Sequence, residues 1–156
     1  MSPIPTTPRG MYFDEFEAGQ RIVTGGRTVT ESDIVSFAGL SGDFTAIHTD
    51  AEFCKTTPIE QRIAHGLLVI SIASGLAAQT GVLEGTVLVF REISNWKFIK
   101  PVFIGDTIQV EMNVLETKEF RRIGGGNVTI ELDVKNQNDE TVMKGNWVVL
   151  MSLRPE

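Results

Sequence analysis

The residues best suited to chemistry are a carboxylate and an imidazole five positions apart, Asp43 and His48. They precede a strongly apolar run that opens at His65-Gly66. A positioned acid–base pair can move protons to and from a substrate, and the unpaired N–H groups at a helix start suit a developing oxyanion. The combination predicts chemistry on a thioester or another activated carbonyl. On spacing alone, however, an aspartate after Ser-Gly is more often a turn or cap residue.

Two predicted helices stand on either side of this pair. A capping-box pattern predicts a first helix over residues 31–38, ended by Gly39. Residues 40–63 then form a long loop, and loops of that length inside a domain are usually functional. From Gly66 to Gln79 nearly every side chain is apolar or small, which predicts a helix buried on most sides. Gly81 is the predicted stop of this second helix.

Strand character covers much of the remaining chain. Apolar and polar side chains alternate over residues 107–116 and 127–136, and this period of two marks antiparallel strands with one polar face. The predicted strands are 21–29 with a bulge at Gly25-Gly26, 86–94, 96–99, 107–116, 127–136 and 141–153. One buried helix followed by antiparallel strands predicts an α+β domain in which a sheet curls around a helix.

Length, charge and composition narrow the range of functions. The 156 residues, 42% of them hydrophobic, predict a single domain over 11–156 behind a flexible arm over 1–10. A net charge of −6 makes nucleic acid and anionic membranes poor partners. One cysteine and two histidines exclude an internal disulfide and predict no metal site. Without a secretory leader or a run of about 18 apolar residues, the chain is predicted to be cytoplasmic.

Several short motifs follow one another along the chain: Ser41-Gly42-Asp43 with His48, His65-Gly66-Leu67, Ser74-Gly75-Leu76, Lys100-Pro101-Val102 and Gly105-Asp106-Thr107. Their order and spacing resemble a known family, the MaoC-like or hydratase 2 group of (R)-specific enoyl-CoA hydratases. One departure stands out, because this chain has Thr45-Ala46 where the family usually has Asn-Pro. Loss of the proline restores a backbone N–H and frees φ, so the loop is expected to hold the pair slightly differently.

The resemblance implies a hot-dog fold, an antiparallel sheet wrapped around a long central helix, and a homodimer or higher homo-oligomer with its site near the subunit boundary. It also implies roles for individual residues. Asp43 and His48 would activate water, the Gly66 N–H would bind the thioester oxygen, and Ser74 and His65 would support them. For His65 a plain helix-start role is an equal alternative, and Ser74 is otherwise a small packing residue.

Three cations flank the predicted site and are candidates for the coenzyme phosphates: Arg62, Lys97 and Lys100. Ordinary surface charge is the alternative for each of them.

The resulting hypothesis is a hydro-lyase that needs no cofactor and interconverts 2-enoyl and (R)-3-hydroxyacyl thioesters of coenzyme A or an acyl carrier. Two rivals stay open. A hot-dog thioesterase would direct a carboxylate-activated water to the carbonyl carbon. A non-catalytic acyl-CoA-binding protein is allowed by the Thr45-Ala46 departure.

Overall fold

The computed structural model describes residues 10–156. The predicted N-terminal arm therefore lies outside the described residues except for Gly10, which is buried and whose N–H donates to the Glu84 carbonyl at 2.8 Å. None of the helices over these residues combines the length and apolar character needed to cross a lipid bilayer.

A six-stranded antiparallel sheet forms the framework, and four helices lie between its second and third strands. The elements are β1 Arg21–Val23, β2 Arg27–Thr28, α1 Glu31–Ser41, α2 Ala46–Thr49, α3 Ala51–Cys54, α4 Gly66–Gln79, β3 Val87–Phe98, β4 Thr107–Phe120, β5 Gly125–Lys135 and β6 Thr141–Ser152. The strand order is β1-β4-β5-β6-β3, and β2 pairs with β4 beside β1. The predicted α+β class and the antiparallel sheet are confirmed.

The central strands show why the alternating pattern is reliable. The alternating apolar residues of β4 and β5 are buried, while their polar neighbours are more exposed; Leu115, which follows the alternating part of β4, is exposed. The buried set is Ile108, Val110, Met112, Val114, Val128, Ile130, Leu132 and Val134. The prediction ended β4 at Glu116, but the strand continues to Phe120 because it pairs with Gly125 across a short 3-10 turn over Arg121–Ile123.

Helix α4 has the predicted bounds and contributes most of its apolar side chains to the core. These are Leu68, Val69, Ile72, Ala73, Leu76 and Ala77. Gly81 follows the helix with φ of +80°, as predicted for a stop. A stripe of residues along one side, Leu67, Ser71, Ser74 and Ala78, remains exposed in the single chain. The helix is therefore buried on one broad face rather than all round.

Helix α1 ends later than predicted. The capping box of Thr30 and Asp33 is present at its start. Its end is at Ser41, and Gly42 with φ of +78° is the left-handed cap whose N–H donates to Ala38. The prediction of a stop at Gly39 was wrong because that glycine lies inside the helix without needing a positive φ.

The predicted loop over residues 40–63 contains the one-turn helices α2 and α3. Asp50 lies between them and its carboxylate accepts the Phe53 N–H at 2.8 Å, which caps α3. The Ile63 N–H donates to the Ile47 carbonyl at 3.1 Å and ties the end of the segment to α2. These bonds give the segment a defined shape in front of α4.

Two further predictions need correction. The single predicted strand over 21–29 is two short strands, β1 and β2, separated at Gly25-Gly26. The two strands predicted over 86–94 and 96–99 are one strand, β3, with an irregularity at Asn95, whose φ is +53°. Because asparagine tolerates the left-handed region, the kink does not end the strand.

Strand β3 lies at the edge of the sheet and, among residues 10–156, pairs only with β6. It nevertheless carries large apolar side chains that are exposed: Val87, Leu88, Val89, Phe90, Ile93 and Phe98. An edge of this kind exposes apolar surface together with unpaired backbone groups.

Candidate active site

Asp43 lies in the turn after α1, with its side chain partly exposed. One carboxylate oxygen, Oδ1, accepts the Thr45 hydroxyl at 2.5 Å and the Thr45 N–H at 3.1 Å. These two bonds, the hydroxyl first, lower the pKa of Asp43 below its ordinary value because they favour the charged form. The other oxygen, Oδ2, is directed toward His48.

The Thr45-Ala46 departure has a local explanation. Thr45 is the N-cap of α2 and Ala46 its first residue. Proline is favoured at that first position, where the N–H lacks a helical partner in any case. Replacing it with alanine therefore removes no hydrogen bond from the helix. Thr45 instead supplies two donors to the carboxylate.

His48 lies in α2 and is buried. Its Nδ1 is 2.8 Å from the Ile63 carbonyl oxygen, which can only accept, so Nδ1 carries the proton. In the neutral ring Nε2 is then a free base, and it lies 3.8 Å from Asp43 Oδ2. This separation is too long for a direct hydrogen bond. Asp43 and His48 therefore face each other across a gap.

His65 was predicted only as a supporting residue, yet it is the most deeply buried of the three. Its Nε2 lies 2.9 Å from the Asp43 backbone carbonyl. Its ring stacks on that of His48 with centroids 3.8 Å apart and 26° between the planes. Phe37 of α1 packs against it with the centroids at 5.0 Å. The structure thus brings His65 into contact with both members of the pair.

The donor atoms of Asp43, His48 and His65 lie within 4.8 Å of one another, so a metal must be considered. A ring nitrogen binds a metal in the plane of its ring, at about 2.0–2.1 Å. Because the two rings are stacked, their lone pairs run nearly side by side and do not meet at that distance. The arrangement suits hydrogen bonding and proton transfer better than metal binding, and the absence of a metal stays a prediction.

A cleft of about 610 Å³ opens beside His48. Its lining is almost entirely apolar and comes from the segment before α4, the start of α4, the connection after β3, and β6. The lining residues are Ile47, His48, Ile59, Ile63, Ala64, Gly66, Leu67, Val69, Phe98, Ile99, Lys100, Pro101, Val102 and Met143. His48 therefore stands at the wall of a space large enough for an apolar chain.

Gly66 is the first residue of α4, and no side chain caps that helix start. The N–H groups of a first turn point out of the helix and sit at its positive end. A Cβ at Gly66 would stand 2.6 Å from the Phe98 ring, so glycine is required for this close packing as well. Gly66 and Phe98 both line the cleft.

The other predicted residues are more scattered. Lys100 lines the cleft and forms an ion pair with Glu140 at 3.0 Å. Arg62 pairs with Glu31 at 2.5 Å, and Lys97 is exposed on β3 opposite Lys144. Roles of these cations toward a coenzyme stay predictions.

Ser74 lies on the exposed stripe of α4, and its hydroxyl donates to the Ser71 carbonyl at 2.7 Å. It does not line the cleft, and its supporting role also stays a prediction.

Sequence reasoning missed Thr45, Phe37 and Phe98. The first was treated only as a departure from the family pattern, although a threonine two residues after an aspartate commonly donates to it in a turn. Phe37 and Phe98 carry no local signal, because their contacts join segments that are distant in the chain.

The six-stranded antiparallel sheet packed against α4 is the arrangement of a hot-dog fold. The chain belongs to the MaoC-like domain family, whose model matches residues 15–136. Protein MaoC of Klebsiella aerogenes is 41% identical over 105 residues, covering 67% of this chain but only 31% of that protein. The (R)-specific enoyl-CoA hydratase of Aeromonas caviae is 31% identical over 139 residues, covering 89% of this chain and 98% of that protein.

Solved structures agree on the fold. A monoamine oxidase regulatory protein from Archaeoglobus fulgius has a TM-score of 0.88 at 40% identity, covering 95% of this chain and 98% of that one. A Mycobacterium tuberculosis protein with a double hot-dog fold has a TM-score of 0.82 at 19% identity, covering 94% of this chain and 46% of that one. The predicted hot-dog fold and the predicted membership of a hydro-lyase family are confirmed.

Proposed function

We propose that this chain catalyses the reversible, (R)-specific addition of water to 2-enoyl thioesters, giving 3-hydroxyacyl thioesters. The observation that carries the proposal is the 3.8 Å gap between Asp43 Oδ2 and His48 Nε2 at the wall of an apolar cleft. Two groups at this separation can each bond to one water oxygen between them. The stereochemistry is taken from the name of the Aeromonas caviae relative.

The pair supplies both proton transfers. One member removes a proton from the water as its oxygen bonds to C3 of the enoyl group. The π electrons of the double bond move onto the thioester oxygen, and C2 then takes a proton from the pair. Because Asp43 and His48 share one water, the pair acts as a unit. Every atom comes from water and substrate, so the step needs no cofactor.

The negative charge that develops on the thioester oxygen needs a donor. Gly66 is at the uncapped start of α4 and lines the same cleft as His48. Its N–H, together with the positive end of the helix, would stabilise that oxygen. The apolar lining beyond it would hold the acyl chain, and Lys100 at the cleft would favour an anionic carrier, coenzyme A or an acyl carrier protein.

We also propose that the active form is at least a dimer. Strand β3 presents exposed apolar side chains along a sheet edge, which a second copy would cover by pairing with it. Sedimentation analysis at micromolar concentration is expected to give a dimer or larger species. A compact monomer would exclude this assembly.

A panel of trans-2-enoyl-CoA substrates of graded chain length tests the reaction. We expect loss of the conjugated double-bond absorbance and formation of the (R)-3-hydroxyacyl product. Release of free thiol without that product would instead indicate the thioesterase. Binding without any turnover across the panel would indicate the acyl-CoA-binding protein.

A further inference from the structure

His65 is a buried, titratable group that the proposed proton transfers do not use. It is 2% exposed, and its two ring nitrogens have different surroundings. Nε2 meets the Asp43 carbonyl at 2.9 Å, whereas Nδ1 is buried without a hydrogen-bond partner among the described residues. Unpaired buried polar atoms are rare in folded proteins and call for an explanation.

The hydrogen bond to Asp43 determines the tautomer of His65. A carbonyl oxygen only accepts, so Nε2 must carry the proton and donate it. A second proton would create a buried N–H on Nδ1 with no acceptor, and an unsatisfied buried donor is costly. His65 is therefore a neutral Nε2–H imidazole, the opposite tautomer to His48, whose proton is on Nδ1.

The ring of His65 has a second contact, with the face of His48. The two centroids are 3.8 Å apart, and Phe37 packs against His65 at 5.0 Å. This stacking limits rotation of His48 about the bonds that direct Nε2 toward Asp43. One side chain thus touches both members of the pair, the backbone of Asp43 by a hydrogen bond and the ring of His48 by its face.

We infer that His65 is a positioning residue that fixes the gap between Asp43 Oδ2 and His48 Nε2 while remaining neutral itself. The inference rests on the proposed function and deepens it. A merely structural histidine at the start of α4 would serve packing alone. Histidine combines both contacts in one small ring, whereas phenylalanine stacks without donating and glutamine donates without stacking.

Those two substitutions form a matched pair. His65→Phe keeps a ring against His48 and loses the bond to Asp43, whereas His65→Gln keeps a donor and loses the stack. A misplacement of reacting groups by about 1 Å can cost about 10²-fold in rate, so each variant is expected to lose about 10–100-fold in kcat. KM is expected to change little, because His65 does not line the cleft.

Nitrogen-15 NMR of the imidazole rings provides a readout that packing alone would not produce. The chain contains only two histidines, so the parent spectrum holds two rings and each variant of His65 leaves one. The parent is expected to show opposite neutral tautomers, Nδ1–H for His48 and Nε2–H for His65. In His65→Gln the Cε1 proton of His48 is expected to move downfield as the stacked ring is lost.

Three results would overturn the inference. The first is that His65 of the parent protein carries its proton on Nδ1, or is cationic, at neutral pH. The second is that the variants fold and keep the kcat of the parent. The third is that the His48 signal is unchanged in folded His65→Gln. The NMR measurement on the parent needs neither a variant nor turnover. It therefore tests the tautomer and the neutrality assigned to His65 even if a variant fails to fold, or if the parent hydrates no enoyl thioester and the proposed function fails.

Discussion

The two ends of the candidate site are built in opposite ways. The polar end is the cluster of Asp43, His48 and His65 beside the cleft, and each of these residues has a hydrogen-bond partner within 2.9 Å. At the apolar end, side chains such as Ile59 and Ile99 are 40% and 50% exposed and are held by contact alone. Directional bonds fix the geometry needed for proton transfer, while loosely held apolar surface can adapt to different ligands. Changes at the polar end should therefore affect kcat, and changes at the apolar end should affect KM.

The largest effect is expected for Asp43→Asn. This variant keeps the shape of the side chain and removes its charge, so hydration should fall by about 10²–10⁴-fold while substrate still binds. Steady-state kinetics with an enoyl-CoA measures it. Asp50→Asn is the matched control, since Asp50 lies in the same segment and accepts only the N–H that caps α3, a role asparagine fills equally well.

Combining Asp43→Asn with His48→Gln in a double variant extends this prediction. Each single substitution should lower kcat by a similar factor. The double variant should lose far less than the product of those two factors, because one shared water requires both groups. Circular dichroism would check that each variant is folded. Folded single variants with nearly parental activity would show that Asp43 and His48 are unrelated loop residues.

A smaller loss is expected for Gly66→Ala, which alters the boundary between the two ends. The new Cβ would meet the Phe98 ring at 2.6 Å and stand beside the proposed oxyanion donor, so kcat should fall about tenfold to a hundredfold. Gly75→Ala in the same helix meets no atom within 4 Å and should retain activity. It should also gain about 0.5–1 kcal/mol in unfolding free energy. Equal kcat in the two variants would contradict the expected obstruction by a side chain at the Gly66 N–H.

Thr45→Val should lower kcat by a smaller factor, about tenfold or less, because one of the two hydrogen-bond donors to Asp43 Oδ1 remains. The pKa of Asp43 should rise toward the ordinary 3.8, as measured by carbon-13 NMR of its carboxyl group. A depressed pKa stabilises the folded state above the unfolded value, and this contribution disappears as the pH falls through the lowered folded value. The stability advantage of the parent should therefore shrink below about pH 3.8.

Thr56→Val is the control for Thr45→Val, because the Thr56 hydroxyl donates to the Phe53 carbonyl away from the pair. An unchanged Asp43 pKa in folded Thr45→Val would contradict the assigned role of the hydroxyl.

The smallest effect is expected for Ile59→Ala at the apolar end. Each buried methylene is worth about 0.8 kcal/mol, so partial loss of contact should raise KM about three- to tenfold for substrates with medium-length chains. kcat should be unchanged. Ile123 is similarly exposed and does not line the cleft, so Ile123→Ala should leave both constants as they are. A fall in kcat without a change in KM would contradict the division between the two ends.

The parts of the fold that follow from periodic burial were predictable from sequence. Alternation in β4 and β5 and the apolar run of α4 predicted those elements because one face of each must be buried. The end of α1 was not predictable in this way, since both Gly39 and Gly42 permit a stop and only the following turn decides between them.

For the candidate site, the sequence showed that Asp43 and His48 lie in the same segment, but it did not indicate how their side chains are oriented. The orientation depends on the Ile63 carbonyl and the ring of His65, both reached only when the segment folds back onto α4. The contact of Gly66 with Phe98 likewise joins residues whose proximity depends on the whole sheet. Local patterns predict elements, whereas such contacts depend on tertiary structure.

The exposed edge of strand β3 affects how the stability of the protein should be measured. If two copies associate through this edge, the folded state is stabilised by mass action, and the unfolding midpoint rises with the amount of protein present. Thermal unfolding of a dilute sample and of a concentrated sample would then differ although no residue has changed. Stability comparisons between variants should therefore be made at one fixed protein concentration, because dilution alone would remove part of the free energy that holds each subunit together.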